Sequence, residues 1–147
     1  MQEAGADDGC VFCQEASGEL GDASLVVHRG ERAIILLNKF PYSSGHLMVA
    51  PRRHIGSLGD LDSREAAEIH AQTVQGIAAL TETYAPDGFN VGWNLGAIAG
   101  GSIAAHLHQH IVPRWSGDTN FMPVLADVKV LPEHLDSTRA RLTEAWR

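Results

Sequence analysis

A chain of 147 residues with 44% hydrophobic and 20% charged side chains has the composition of a globular domain large enough for a real core. Its formal charge of −7 argues against a general nucleic-acid binder, whose footprint is basic. The longest aliphatic run, Ala33 to Leu37, is far too short to span a bilayer, and the acidic start MQEAGADDGC lacks the apolar stretch of a secretory signal, so no membrane contact is expected and the cytoplasm is the expected compartment.

Residues 1–9 read as a flexible tail and 10–147 as one domain. Cys10 and Cys13, the two cysteines, stand in C-x2-C spacing. A redox pair at this spacing follows a strand, and nothing upstream can be one; a structural disulfide does not suit the cytosol. The pair therefore reads as half of a zinc site, with histidines the obvious donors for the rest. Leu25–His28 and Ala33–Leu37 are β-rich runs about Arg29-Gly30-Glu31, a hairpin. Between residues 25 and 53, Arg29, Arg32, Lys39, Arg52 and Arg53 face a single acid, Glu31, which suits either a steered anionic ligand or an ordinary basic surface. After a loop over Asn38–Ser44, His46–Ala50 forms a third strand closed by Pro51, with His46 and Met48 on one face, and a basic turn runs to His54.

Residues 62–84 carry the strongest helical pattern, with Ala66, Ile69, Thr73, Ile77, Leu80 and Tyr84 at helical spacing and Asp62 with Glu65 as a capping box. Ala85–Gly88 ends the helix, and Phe89–Leu95 is a fourth strand whose Gly92 suggests a close backbone approach. Past Pro113, residues 114–124 read as a loop; Pro132 opens a C-terminal helix to residue 147 with Leu135, Thr138, Leu142 and Trp146 on one face. His28, His70 and His134 carry no functional pattern. The sum is an α+β domain: an antiparallel sheet of about five strands, one long central helix and a C-terminal helix.

The densest chemistry lies in GGSIAAHLHQHIVPRW, residues 100–115. As a strand, His106, His108 and His110 share one face while Leu107, Gln109 and Ile111 share the other, and Pro113 ends the ladder. Imidazole is a good nucleophile near neutral pH, and at phosphorus it can form a nucleotidyl-imidazole that divides one hard displacement into two easier ones. His108, flanked on both sides, is the natural nucleophile; His110 and Ser102 would hold the non-bridging oxygens, and His46 would orient the cluster. Three histidines ligating zinc with an open position, or a surface strand merely rich in histidine, are the competing readings.

HLHQHIV resembles the motif of the histidine triad (HIT) family, and NKFP, GHLMV, Asn94, AGGS and HxVPRW follow the family's order. GFNVGWNLG and the segment through Asn120-Phe121 are most similar to actinobacterial-type diadenosine tetraphosphate phosphorylases. The resemblance implies a HIT-like fold and cleavage of dinucleoside polyphosphates through a covalent nucleotidyl-histidine on His108, released to phosphate or water. A nucleoside phosphoramidase and a non-catalytic nucleotide-binding module are the alternatives. It places His106, His108, His110, His46 and Ser102 in the catalytic set. Leu36, Asn38, Met48, Asn94, Gly101, Ser102 and His110 would contact nucleotide; Trp115 would either shield the site or stack on a base, or belong to the core. Cys10, Cys13, His54 and His106 would form a structural zinc site, with no organic cofactor, and at least a homodimer is implied. Gln109 departs from the pattern, which has an apolar residue there; if buried, it needs a polar partner, for which a subunit interface is one source.

Overall fold

The computed structural model describes residues 9–100, 106–118 and 133–147. Among them a five-stranded antiparallel sheet, β1 (Val26–Arg29), β2 (Ala33–Leu37), β3 (Leu47–Pro51), β4 (Gly88–Trp93) and β5 (Gln109–Arg114), runs in the order β1-β2-β3-β5-β4. Three helices accompany it: α1 (Val11–Ser17), α2 (Ser63–Tyr84) and α3 (Leu135–Ala145). The expected α+β class, sheet and two long helices are present. No described helix is long and apolar enough to cross a membrane.

One face of the sheet is covered by α2 and α3. Ile35, Leu37, Leu47, Val49 and Ile111 meet Ile69, Ala79, Leu80 and Leu142 in the larger core. The capping box expected at Asp62 and Glu65 is formed in both directions, 2.8 and 3.0 Å. The buried stripe of α2 differs in detail from the expected one: Ala66 is exposed, while Gln72 and Gly76 are buried. At Gly76 a Cβ would stand 2.8 Å from Ile35 Cδ1, so any larger residue would force that side chain to shift; the helix rides directly on the sheet. Gln109, between two histidines, faces this core and meets Thr73 Oγ1 at 2.7 Å. Its polar partner is therefore within the chain, on α2.

The opposite face is only half covered. Phe12, Ala16 and Cys10 of the α1 region seal Val26, Ile34, Leu36, Met48 and Ala50. The sequence reading missed α1, which is too short to be stable by itself. Tertiary contacts hold it: Arg29 Nε donates to Glu15 O (2.9 Å) and Arg52 Nη2 to Ala16 O (3.0 Å), placing cations at its C-terminal carbonyls. Arg53 binds the buried Glu65 carboxylate at 2.6 Å. Much of the basic stretch 25–53 is thus committed to structural bonds rather than to an anion site.

Two expectations about strands are corrected. Pro113 does not end β5, which continues to Arg114 opposite β4. β3 pairs with β5 only over Leu47–Val49, so the N–H that proline lacks would face no strand, and Ser43 Oγ donates to the Pro113 carbonyl on that side at 2.9 Å. Among the described residues Gly92 marks no close approach either; a Cβ there would meet none of their atoms within 4 Å. Pro132, expected at the start of the last helix, lies outside the described residues; α3 begins at Leu135, with Thr138 and Leu142 buried as expected.

Candidate active site

The regular ladder of β5 starts only at Gln109, yet all three triad rings lie on the half-covered face. Upstream, the chain is tied by Leu107 N to Ile55 O at 2.7 Å, because β3 has already ended at Pro51. Phe12 stands 5.1 Å from the His106 ring and is stacked on His108 at 4.9 Å; His110 meets His108 edge-on at 5.0 Å.

Each ring has a distinct task set by its hydrogen bonds. His106 Nε2 donates to Pro51 O at 2.8 Å, which leaves Nδ1 with a bare lone pair. That atom faces Cys10 Sγ (3.3 Å), Cys13 Sγ (3.6 Å) and His54 Nδ1 (3.2 Å), and Cys13 Sγ lies 3.3 Å from His54 Nδ1. All four ligand atoms fall within 4.8 Å of one another. A tetrahedral ion with bonds of about 2.0–2.3 Å has ligand-to-ligand edges of about 3.3–3.8 Å, so the cluster has the dimensions of a metal site. Burial holds the His106 pKa down at about 4, against the raising effect of the Pro51 carbonyl, so the ring is neutral, as a ligand must be.

His108 Nδ1 donates to the His106 carbonyl at 3.0 Å. Its Nε2 then carries the lone pair. His46 Nδ1 accepts from the Tyr42 N–H (3.2 Å), so in the neutral ring Nε2 holds the proton and donates to His110 Nδ1 at 2.9 Å. His110 in turn carries its proton on Nε2, beside the Asn94 amide at 3.5 Å. Burial, then His110 and His108, lower the His46 pKa to about 4; burial and His108 lower that of His110. A relay of neutral imidazoles thus ends in one N–H donor and one free nitrogen lone pair. Beside His110 a cavity of about 460 Å³ opens between Tyr42 and β4.

The HIT domain profile matches residues 21–117. The chain belongs to the HIT family. A curated relative, the AP-4-A phosphorylase of Mycobacterium tuberculosis (strain ATCC 25618 / H37Rv), is 47% identical over 125 residues, 85% of this chain; the chain spans 64% of that protein's length. Among solved structures, a Zn-bound histidine triad family protein from Mycobacterium smegmatis matches with a TM-score of 0.75 and 26% identity, covering 93% of this chain and 92% of the other. A hypothetical histidine triad nucleotide-binding protein from Sulfolobus tokodaii strain7 gives a TM-score of 0.74 at 26% identity, covering 92% and 91%.

In this HIT chain the structure brings Cys10, Cys13, His54 and His106 together at one end of the triad and His46, Asn94 and His110 at the other. Asn38 stands behind His46, its Nδ2 3.5 Å from His46 Nε2, and its Oδ1 accepts from the Phe40 N–H. Leu36 and Met48 are buried with Phe12 and Ala50 in the smaller core and are not among the residues lining the cavity. Trp115 is half-buried, outside the cavity lining. Gly101 and Ser102 lie outside the described residues. The sequence reading missed Phe12, Tyr42 and Arg114. Arg114 was legible in principle, since 110, 112 and 114 share the parity of the triad.

The lowered His46 pKa predicts an acid sensitivity with a definite sign. Folded His46 titrates near 4 while an unfolded histidine titrates near 6.5, so the unfolded chain binds the extra proton first. Its contribution is complete above about pH 6.5 and falls as pH drops toward about 4, by on the order of 3 kcal/mol. Urea unfolding at pH 7 and pH 5 of the wild type and His46→Gln checks this: the variant should lose less stability on acidification. Equal losses in the two proteins would remove His46 as the cause.

Proposed function

We propose that the protein transfers nucleotidyl groups from dinucleoside polyphosphates, with diadenosine tetraphosphate the leading substrate and phosphate the favoured acceptor. The observation that carries this is the His108 tautomer: its Nδ1–H is tied to the His106 carbonyl, so Nε2 offers a lone pair beside the His110 donor. Nε2 attacks the α-phosphorus; the N–P bond forms, and the bond to the bridging oxygen of the β-phosphate breaks. With diadenosine tetraphosphate the leaving group is ATP and the enzyme holds AMP on His108. His110 Nε2–H is placed to hold a non-bridging oxygen as charge shifts onto it. Attack by phosphate on the adenylyl-histidine then gives ADP and restores His108; attack by water gives AMP. The phosphorylase name of the mycobacterial relative supports phosphate as acceptor.

The Cys2His2 cluster reads as a structural zinc site, since zinc favours four tetrahedral N and S ligands and no position is left open for substrate. The name of the Zn-bound mycobacterial neighbour supports that choice of metal. A homodimer belongs to the same reading: β4 is an edge strand with Val91 45% exposed, and α2 carries Val74 53% exposed. A single-chain mass in sedimentation equilibrium would remove the dimer.

Product analysis with diadenosine tetraphosphate, with and without inorganic phosphate, tests the function. The expected result is ADP plus ATP, formed only with phosphate. AMP plus ATP without phosphate would make the protein a hydrolase. Tight nucleotide binding with no turnover would leave a binding module.

A further inference from the structure

We propose that Arg114 is a specificity-determining residue: it binds the polyphosphate chain of the leaving group, at the far end of the cavity from His110. The proposal rests on the nucleotidyl-transfer reading and names the part of the substrate that this end of the site recognises.

Strand alternation sets His110, Val112 and Arg114 on one side of β5, and β4 lays Gly92 beside His110 and Asn90 beside Val112. Four residues of extended chain separate His110 from Arg114, about 13 Å, a span suited to a short polyphosphate and too long for one phosphate. Between them lie Val112 and, across the pair, Asn90; beside His110 the floor is open. No atom of the described residues lies within 4 Å of where a Gly92 Cβ would be, so among them the missing side chain clears space over the sheet rather than easing a packing contact. The cavity lined by His110, Gly92, Asn90 and Arg114 is the trough so formed, with Tyr42, 75% exposed, as its outer wall.

Arg114 is held for this task. Its Nε and Nη2 donate to the two Asp118 oxygens at 2.6 and 2.9 Å, and its Nη1 donates to Asn90 Oδ1 at 2.7 Å. A guanidinium has five N–H groups in a rigid plane, so these three bonds fix the plane and leave two donors for an anion. Among the described residues lining the cavity, Arg114 is the one permanent cation. Asp118 offsets part of its charge, so recognition there depends on two aimed hydrogen bonds more than on a general positive field.

Two measurements on the full chain test this. In the first, inorganic tripolyphosphate is titrated calorimetrically into the wild type and Arg114→Ala; the variant should bind roughly 10- to 100-fold more weakly, the range for losing hydrogen bonds to a charged group. In the second, kcat/KM is compared for diadenosine tetraphosphate and adenosine 5′-phosphoramidate, whose leaving group carries no phosphate. The ratio of the two values should fall by roughly 10- to 100-fold in Arg114→Ala and by less in Arg114→Lys, which keeps the charge and loses the fork. Misfolding would lower both substrates together, so an unchanged ratio, or unchanged tripolyphosphate binding, overturns the proposal. A wild type that turns over neither substrate overturns the nucleotidyl-transfer reading, and the tripolyphosphate titration still decides the subsite.

Discussion

Replacing His108 with alanine is expected to lower turnover of diadenosine tetraphosphate by at least about 10³-fold, the scale of losing a covalent nucleophile, while nucleotide binding changes by only a few-fold. The separation follows from how the site is built. The donor at His110 is fixed by His46, and His46 by the Tyr42 backbone; none of these bonds passes through His108. The cavity beside His110 likewise has walls that His108 does not supply. The alanine therefore removes the Nε2 lone pair and the stacking against Phe12, and leaves the binding surface standing. Rapid quench of the wild type followed by intact-mass analysis should reveal one AMP adduct, located on His108, and His108→Ala should carry none. An adduct on His110, or a variant retaining a tenth of its turnover, would defeat the assignment.

Cys10→Ser is the second large effect, and it should appear first in stability. One metal ion per chain is expected in the wild type and in His110→Ala, and none, or one weakly held, in Cys10→Ser. The cluster joins the start of α1 to His54 beyond β3 and to His106 before β5, segments that share no ladder with α1. Without the ion, Phe12 and Ala16 are held over Leu36 and Met48 by packing, by the Arg29 and Arg52 contacts and by the Glu15 carboxylate, which accepts from Ser24 Oγ and the Leu25 N–H. A loss of a few kcal/mol in a domain of this size corresponds to a Tm lower by about 10 °C. Activity should fall as well, because the carbonyl that orients His108 belongs to His106. Thermal unfolding with and without a chelator, together with metal stoichiometry by mass spectrometry, checks both claims. A metal-free wild type whose Tm ignores chelator would refute the site.

Much of this protein follows from local sequence. The hairpin of β1 and β2, the capped helix α2 and the antiparallel α+β class arise from alternation, helical periodicity and capping chemistry, which act over a few residues and can be read there. The triad's common face follows from alternation in the same way, although the ladder begins only at Gln109. Other features depended on partners distant in the chain. α1 is a helix because Arg29, Arg52 and a buried Phe12 make it one, contacts spanning tens of residues. Pro113 continues a strand because β3 happens to stop short of it. Gln109 finds Thr73 on α2, and the arginines of residues 25–53 turn largely to structural partners while Arg114 takes the cavity. The division of labour among the three histidines was likewise settled in three dimensions. Sequence spacing makes the rings neighbours, but which nitrogen of each is protonated is fixed by the Pro51 and His106 carbonyls and by His46, and only the folded chain brings those groups within hydrogen-bonding distance.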